Sequence, residues 1–174
     1  MNKMILIFII LMLFFCSISY GQNKVKNPCE SSAKHRQLDF WVGEWDVYNQ
    51  KNKKVGTNSI KKIQGGCAIQ ENWTGSSGST GTSLNLYEPA SGKWEQLWVA
   101  ASGYIIWYRG EFKDGAMRLT EGENILMDGS KEKSRMTLTP TTEGNVIQLI
   151  EQSKDDGETW YVWFKGTYVP ATNN

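Results

Sequence analysis

Six polar side chains in this sequence sit among aromatic residues at spacings that could bring them together. Glu71 stands two positions before Trp73, and Gln96 lies between Trp94 and Trp98, two positions from each. Asn85, Tyr108, Arg135 and Gln148 occupy comparable positions in later apolar-aromatic runs. A carboxylate, three amides, a phenol and a guanidinium against indole walls are the groups that orient a small molecule in an apolar pocket. If Glu71 is buried it needs a partner, and Arg135 is the candidate. Catalytic chemistry is less well provided for. The single histidine, His35, precedes the aromatic runs, so no Ser-His or Cys-His pair is visible. Glu71 with a second carboxylate, Glu151 or Glu121, is the one set capable of acid–base work in a dry cavity. No spacing suggests a metal site, and no cofactor is implied.

The elements that must position these groups are strands. From Phe40 onward no helical period occurs. Runs of about 6–10 residues, alternating or aromatic-rich, are separated by turn signals such as Lys113-Asp114-Gly115 and Asp155-Asp156-Gly157. The runs fall near residues 40–48, 57–64, 67–73, 82–88, 93–101, 104–112, 116–122, 131–139, 146–152 and 159–169. About ten strands with short links imply an antiparallel, mainly up-and-down meander. Closure into a barrel removes the two long edges that a flat sheet would expose. A β-sandwich is the alternative, with 122–131 as the one segment long enough for a crossover. A short helix is expected at 32–39, capped by Ser31 or Ser32.

Period two then sorts side chains by face. Trp45 shares a face with Val47. Ile69, Glu71 and Trp73 share another, as do Ser83, Asn85 and Tyr87, and Trp94, Gln96 and Trp98. Two readings remain open. Either these polar groups converge on a Trp- and Tyr-lined lumen, or they are solvated on the outer face around a dry interior.

The first 21 residues have a different character. One lysine precedes an apolar stretch from Ile5 to Ile18, and Ser19-Tyr20-Gly21 places small residues at the −3 and −1 positions. This order is that of a secretory signal, cleaved after Gly21. The chain is therefore expected to be exported, periplasmic or secreted, without stable membrane insertion after cleavage. Cys16 follows the bulky Phe14-Phe15 and goes with the discarded segment. The expected organisation is a signal peptide at 1–21, a leader with a short helix at 22–37, and a barrel domain at 38–170. Cleavage removes one of 19 basic residues and none of the 18 acidic ones, so the mature chain is neutral. A neutral chain offers no positive field to nucleic acid or to an acidic membrane. All 8 tryptophans survive cleavage. So do Cys29 and Cys67, which in an oxidising compartment are expected to pair and close a loop of about 38 residues.

Several segments also carry a resemblance. They are Leu38-Asp39-Phe40-Trp41-Val42-Gly43-Glu44-Trp45-Asp46-Val47, Gly65-Gly66-Cys67-Ala68-Ile69-Gln70-Glu71-Asn72-Trp73, Gly81-Thr82-Ser83-Leu84-Asn85-Leu86-Tyr87, Trp94-Glu95-Gln96-Leu97-Trp98-Val99, and 153–160. Together they resemble a DUF1579-type family of exported bacterial proteins with a calycin- or lipocalin-like barrel, distantly similar to nitrobindin-type ten-stranded barrels. The resemblance spans about residues 35–170 and implies a fold, with no established activity. Nitrobindin-type barrels bind haem through a histidine on a late strand. The last strand here has no histidine, so haem binding lacks its ligand.

The function expected from these observations is binding of a small apolar or aromatic ligand inside the barrel. The site residues expected are Trp45, Glu71, Trp73, Asn85, Gln96, Trp98, Tyr108, Arg135 and Gln148. The alternatives are an enzyme using Glu71 as acid or base in the same cavity, and a structural or interaction module with a filled barrel.

Overall fold

Strand-forming runs joined by glycine-containing turns leave each strand beside its sequence neighbour, and ten such strands close on themselves. The computed structural model describes residues 27–172, so the signal peptide expected at 1–21 lies outside the described residues. The strands are β1 (Gly43–Asn49), β2 (Lys54–Ile63), β3 (Ala68–Gly75), β4 (Thr80–Glu88), β5 (Lys93–Ala100), β6 (Ile105–Lys113), β7 (Ala116–Ile125), β8 (Lys131–Pro140), β9 (Val146–Ser153) and β10 (Tyr161–Pro170). Every consecutive pair is antiparallel, and β1 pairs with β10 to close the barrel. The segment 122–131 is no crossover. It is the end of β7, a tight turn with Leu126 N–H bonded to the Ser130 carbonyl, and the start of β8. The sandwich alternative therefore falls.

Inward positions form layers. Reading across directly paired residues, Ile69, Asn85, Gln96, Tyr108, Gly122, Ser134 and Gln152 make one belt around much of the lumen. Glu71, Ser83 and Trp98 lie one inward step nearer the other end of β3, β4 and β5, and Trp73, Gly81 and Ala100 two steps. Outward positions carry the charge, with pairs such as Lys54–Asp46 and Lys131–Glu123 linking neighbouring strands.

One end of the barrel is filled. Trp41, in a 3-10 turn spanning Asp39–Trp41, is fully buried against the ring of Tyr168, 6.3 Å between centroids. Trp45 also packs edge-on against Tyr168 at 6.2 Å and donates its indole N–H to the Trp41 carbonyl at 2.9 Å. Leu38, Val47, Leu138 and Val146 complete the plug. The leader runs over this end. Trp94 donates to Gln37, and His35 stands edge-on to Tyr87 at 5.3 Å.

The helix expected at 32–39 is not formed. One turn of helix, α1, occupies Pro28–Ser31, and residues 33–38 are turns. Asn27 provides the reason: its side chain accepts from the Cys29 N–H, and Pro28 supplies a preset φ at the first helical position. The leader from Asn27 onward is docked, because Cys29 is buried and bonded to Cys67 across a Cα–Cα distance of 5.0 Å. The bond closes a 38-residue loop and ties α1 to the β2–β3 connection. In the chain-entropy account such a cross-link contributes about 3–4 kcal/mol. Reduction, or the double substitution Cys29→Ala/Cys67→Ala, should lower the urea midpoint by an equivalent amount while the far-ultraviolet spectrum stays that of a β protein. An unchanged midpoint would mean that the leader docks without help from the bond.

Candidate functional site

Opposite the plug the lumen is hollow. A cavity of about 250 Å³ is walled by Trp73 on β3, Trp98 on β5, Tyr104 just before β6, and Trp163 and Phe164 on β10. Ile106 and Ile150 fill between them, and Met136, Tyr108, Tyr168, Gln96, Gln148 and Glu71 form the floor. The walls depend on missing side chains next door. A Cβ on Gly56 would stand 2.4 Å from the Trp73 ring, and one on Gly81 would stand 2.3 Å from the Trp98 ring. Each indole therefore lies over a neighbouring strand where only glycine leaves room. Trp163 reaches the cavity by a different route. The β9–β10 pairing slips between Val162 and Phe164, and Trp163 is the extra residue of that bulge. The bulge re-aims it toward the mouth, where its ring meets Tyr104 and Phe164, each at 6.4 Å.

The floor is a connected polar network. Asn58 on β2 donates to one Glu71 oxygen at 2.6 Å, and Ser83 on β4 donates to the other at 2.7 Å. Asn85 donates to the Ser83 hydroxyl at 2.9 Å and to the Ile69 carbonyl at 3.2 Å, and Gln96 donates to Asn85 at 2.8 Å. On the other side, Asn58 also donates to the Tyr168 hydroxyl at 3.3 Å. Tyr168 in turn donates to Gln148 at 2.8 Å, and Gln148 to the Met136 sulfur at 2.9 Å. Tyr108 and Ser134 share a hydrogen bond of 2.7 Å. Every partner of Glu71 is neutral. Burial pushes its carboxyl up from the ordinary glutamate range, against the smaller pull of the Ser83 and Asn58 hydrogen bonds. Burial likewise raises the phenols of Tyr108 and Tyr168.

Of the nine residues expected at a ligand site, Glu71, Trp73, Gln96, Trp98, Tyr108 and Gln148 line this cavity. Asn85 is buried beside the floor residue Gln96 without lining the cavity, and it bonds to Ser83 and Gln96. Trp45 belongs to the plug at the filled end. Arg135 is a correction. It points outward, pairs with Glu151 at 2.8 Å and lies over the Trp160 ring at 4.2 Å. Arg135 and Glu151 are directly opposite on β8 and β9. On the β8 pleat Arg135 falls between Ser134 and Met136, which face in, so the barrel cannot turn it toward Glu71. The second carboxylates considered for acid–base work are outside as well: Glu151 with Arg135, and Glu121 with Lys93.

Residues that sequence reasoning passed over are Ser79, Tyr104, Ile106, Met136, Ile150, Trp163, Phe164 and Tyr168. Period two would have found Ile106 from Tyr108 and Ile150 from Gln148. Trp163 is hidden by its bulge, and Tyr104 and Ser79 by lying outside regular strand. Among the described residues no group of three His, Cys, Asp or Glu side chains is placed to hold a metal ion. Compared with known proteins, the chain matches no family model and no curated protein.

The buried carboxyl sets a pH dependence. Because the folded value lies above the unfolded one, the folded state holds more protons between the two. Stability is therefore fully present below the ordinary glutamate value of about 4.3 and is lost as pH rises from there toward the folded value. In Glu71→Gln this stretch should vanish from the pH–stability curve. At neutral pH the variant should unfold at a urea concentration no lower than the wild type. A lower midpoint would mean that the ionised carboxylate is compensated in the fold.

Proposed function

We propose that the chain is an exported barrel protein that binds a small, largely apolar or aromatic molecule in the hollow half of its lumen, and that it is a member of the DUF1579-type family its segments resemble. The observation that carries this reading is the division of the lumen: one half is packed by Trp41, Trp45 and Tyr168, and the other is an aromatic-walled space with a polar floor. A protein whose barrel served only as a scaffold would gain by filling that space, since a void forfeits the contacts its lining could make. The volume suits one aromatic ring with a short arm, given that a cavity of about 150 Å³ holds benzene. Export is supported by the 1–21 segment and fits the Cys29–Cys67 bond, which persists in an oxidising compartment.

Binding is favoured over acid–base catalysis by the position of the carboxylates. Glu71 is the one carboxyl on the cavity floor, beside two tyrosines whose burial keeps them neutral, and Glu121 and Glu151 are on the outer surface. Turnover of any substrate that survives Glu71→Gln would remove the acid–base alternative altogether.

Benzyl alcohol and indole, titrated against tryptophan fluorescence, should bind and compete with each other. Trp98→Ala should weaken both by about 10-fold or more, the equivalent of about 1–3 kcal/mol for losing a buried aromatic contact. Gln96→Ala should act more on the alcohol than on indole. Both variants should keep the wild-type circular dichroism. Unchanged affinities in both would place the site elsewhere.

A further inference from the structure

Glu71 is an unusual group to leave on such a floor. Its residue is 4% exposed and its charge has no counterpart: among the described residues no Lys, Arg or His pairs with it. The expected guanidinium is on the far side of the wall. Burying an ionised carboxylate without an opposite charge costs several kcal/mol, so the free protein holds the group toward its neutral form. Asn58 and Ser83 each donate one hydrogen bond to it, and neither brings a charge. The carboxyl is thus poorly suited to the empty barrel and well suited to a ligand that brings a positive charge.

The surroundings match the same ligand. Each Glu71 oxygen accepts one hydrogen bond, leaving lone pairs for a further donor. Gln96 directs its amide N–H to Asn85, which leaves its carbonyl oxygen to accept. Above them stand the rings of Trp73, Trp98, Tyr104, Trp163 and Phe164. Indole and phenol faces attract a cation, more strongly where water is excluded. The walls, the acceptors and the single acid converge on one chemistry.

We propose that the ligand of this cavity is a small organic cation, a primary ammonium on an apolar or aromatic body, whose nitrogen is held by Glu71 and Gln96 on the floor. This assignment rests on the cavity being a ligand site. The ammonium enters charged and the Glu71 carboxyl loses its proton to bulk water, so the site remains neutral and one proton is released per ligand bound. Asn58 and Ser83 then stabilise the carboxylate they already contact. The titratable groups that face Glu71 from the packed strands are Tyr108 and Tyr168, both of which stay protonated throughout.

The test compares charged and neutral isosteres: benzylamine with benzyl alcohol, and 2-phenylethylamine with 2-phenylethanol. Calorimetry in two buffers of different ionisation enthalpy reads affinity and proton release together. The amines should bind wild type at least 10-fold more tightly than the alcohols, with release approaching one proton at acidic pH. Their affinity should rise with pH through the Glu71 titration while that of the alcohols stays flat. In Glu71→Gln the amine preference and the proton release should both disappear, and retained alcohol binding certifies that the variant is folded. If the variant does not fold, the wild-type pH series decides the same question. Equal or tighter binding of the alcohols to wild type overturns the cation assignment and leaves the cavity reading standing. An amine preference that persists in Glu71→Gln overturns the role of Glu71. If neither amines nor alcohols nor indole bind, the cavity reading fails and the assignment with it.

Discussion

Closure of the sheet by the β1–β10 pair is the constraint on which the remaining structure depends. Once the ten strands form a ring, every inward side chain faces a lumen wider than that of an eight-stranded barrel, and no edge is left to relieve the packing. The volume must be filled, or kept open by rigid walls. This chain does both, one at each end. Trp41, Trp45 and Tyr168 pack edge to face through the filled end and bring the leader down over it. At the other end the indoles of Trp73 and Trp98 lie along the wall, over Gly56 and Gly81, instead of across the lumen. Tryptophan therefore serves opposite purposes within one barrel: Trp73 and Trp98 lie along the wall where Gly56 and Gly81 leave room, and Trp41 and Trp45 fill the other end against Tyr168.

The polar floor separates the two halves. Placing Glu71 at the boundary requires neutral donors on both sides, and β2, β4, β5, β9 and β10 supply or support them. A network spread over so many strands depends on barrel register. A one-residue slip would carry its members to the outer face. The same network holds the carboxyl in place without supplying an opposite charge, at the bottom of an aromatic well. Both the binding proposal and its cationic form draw on this one arrangement, the first through the space and the second through the charge.

Much of this is legible in the sequence because period two is a strong signal when turns are short. The ten runs coincide with the ten strands to within a few residues, and Glu71 with Trp73, and Gln96 with Trp98, share a face as their spacing requires; the closed barrel makes that face the inner one. The pairing of Cys29 with Cys67 is also within reach, from cysteine count and the signal-like pattern expected at 1–21. The helix expected at 32–39 is displaced because Asn27 and Pro28 offer a better cap several residues earlier and the disulfide fixes the chain there. Arg135 is expected inside only when charge complementarity is weighed ahead of its own pleat. Its neighbours Ser134 and Met136 face in, so Arg135 faces out.

By itself, then, the sequence determined an all-β meander, its turns, and the alternation that separates inner from outer residues, since these follow from local spacing and turn chemistry. Three matters belonged to the tertiary structure alone. The β10 bulge brings Trp163 to the mouth, and no periodicity marks an inserted residue. The glycines beneath Trp73 and Trp98 belong to other strands, so their effect exists only once register is set. The isolation of Glu71 from every cation among the described residues is a property of the closed barrel as well. Sequence offers basic residues on neighbouring strands, and only the inside-outside division of a sealed wall keeps them apart from it.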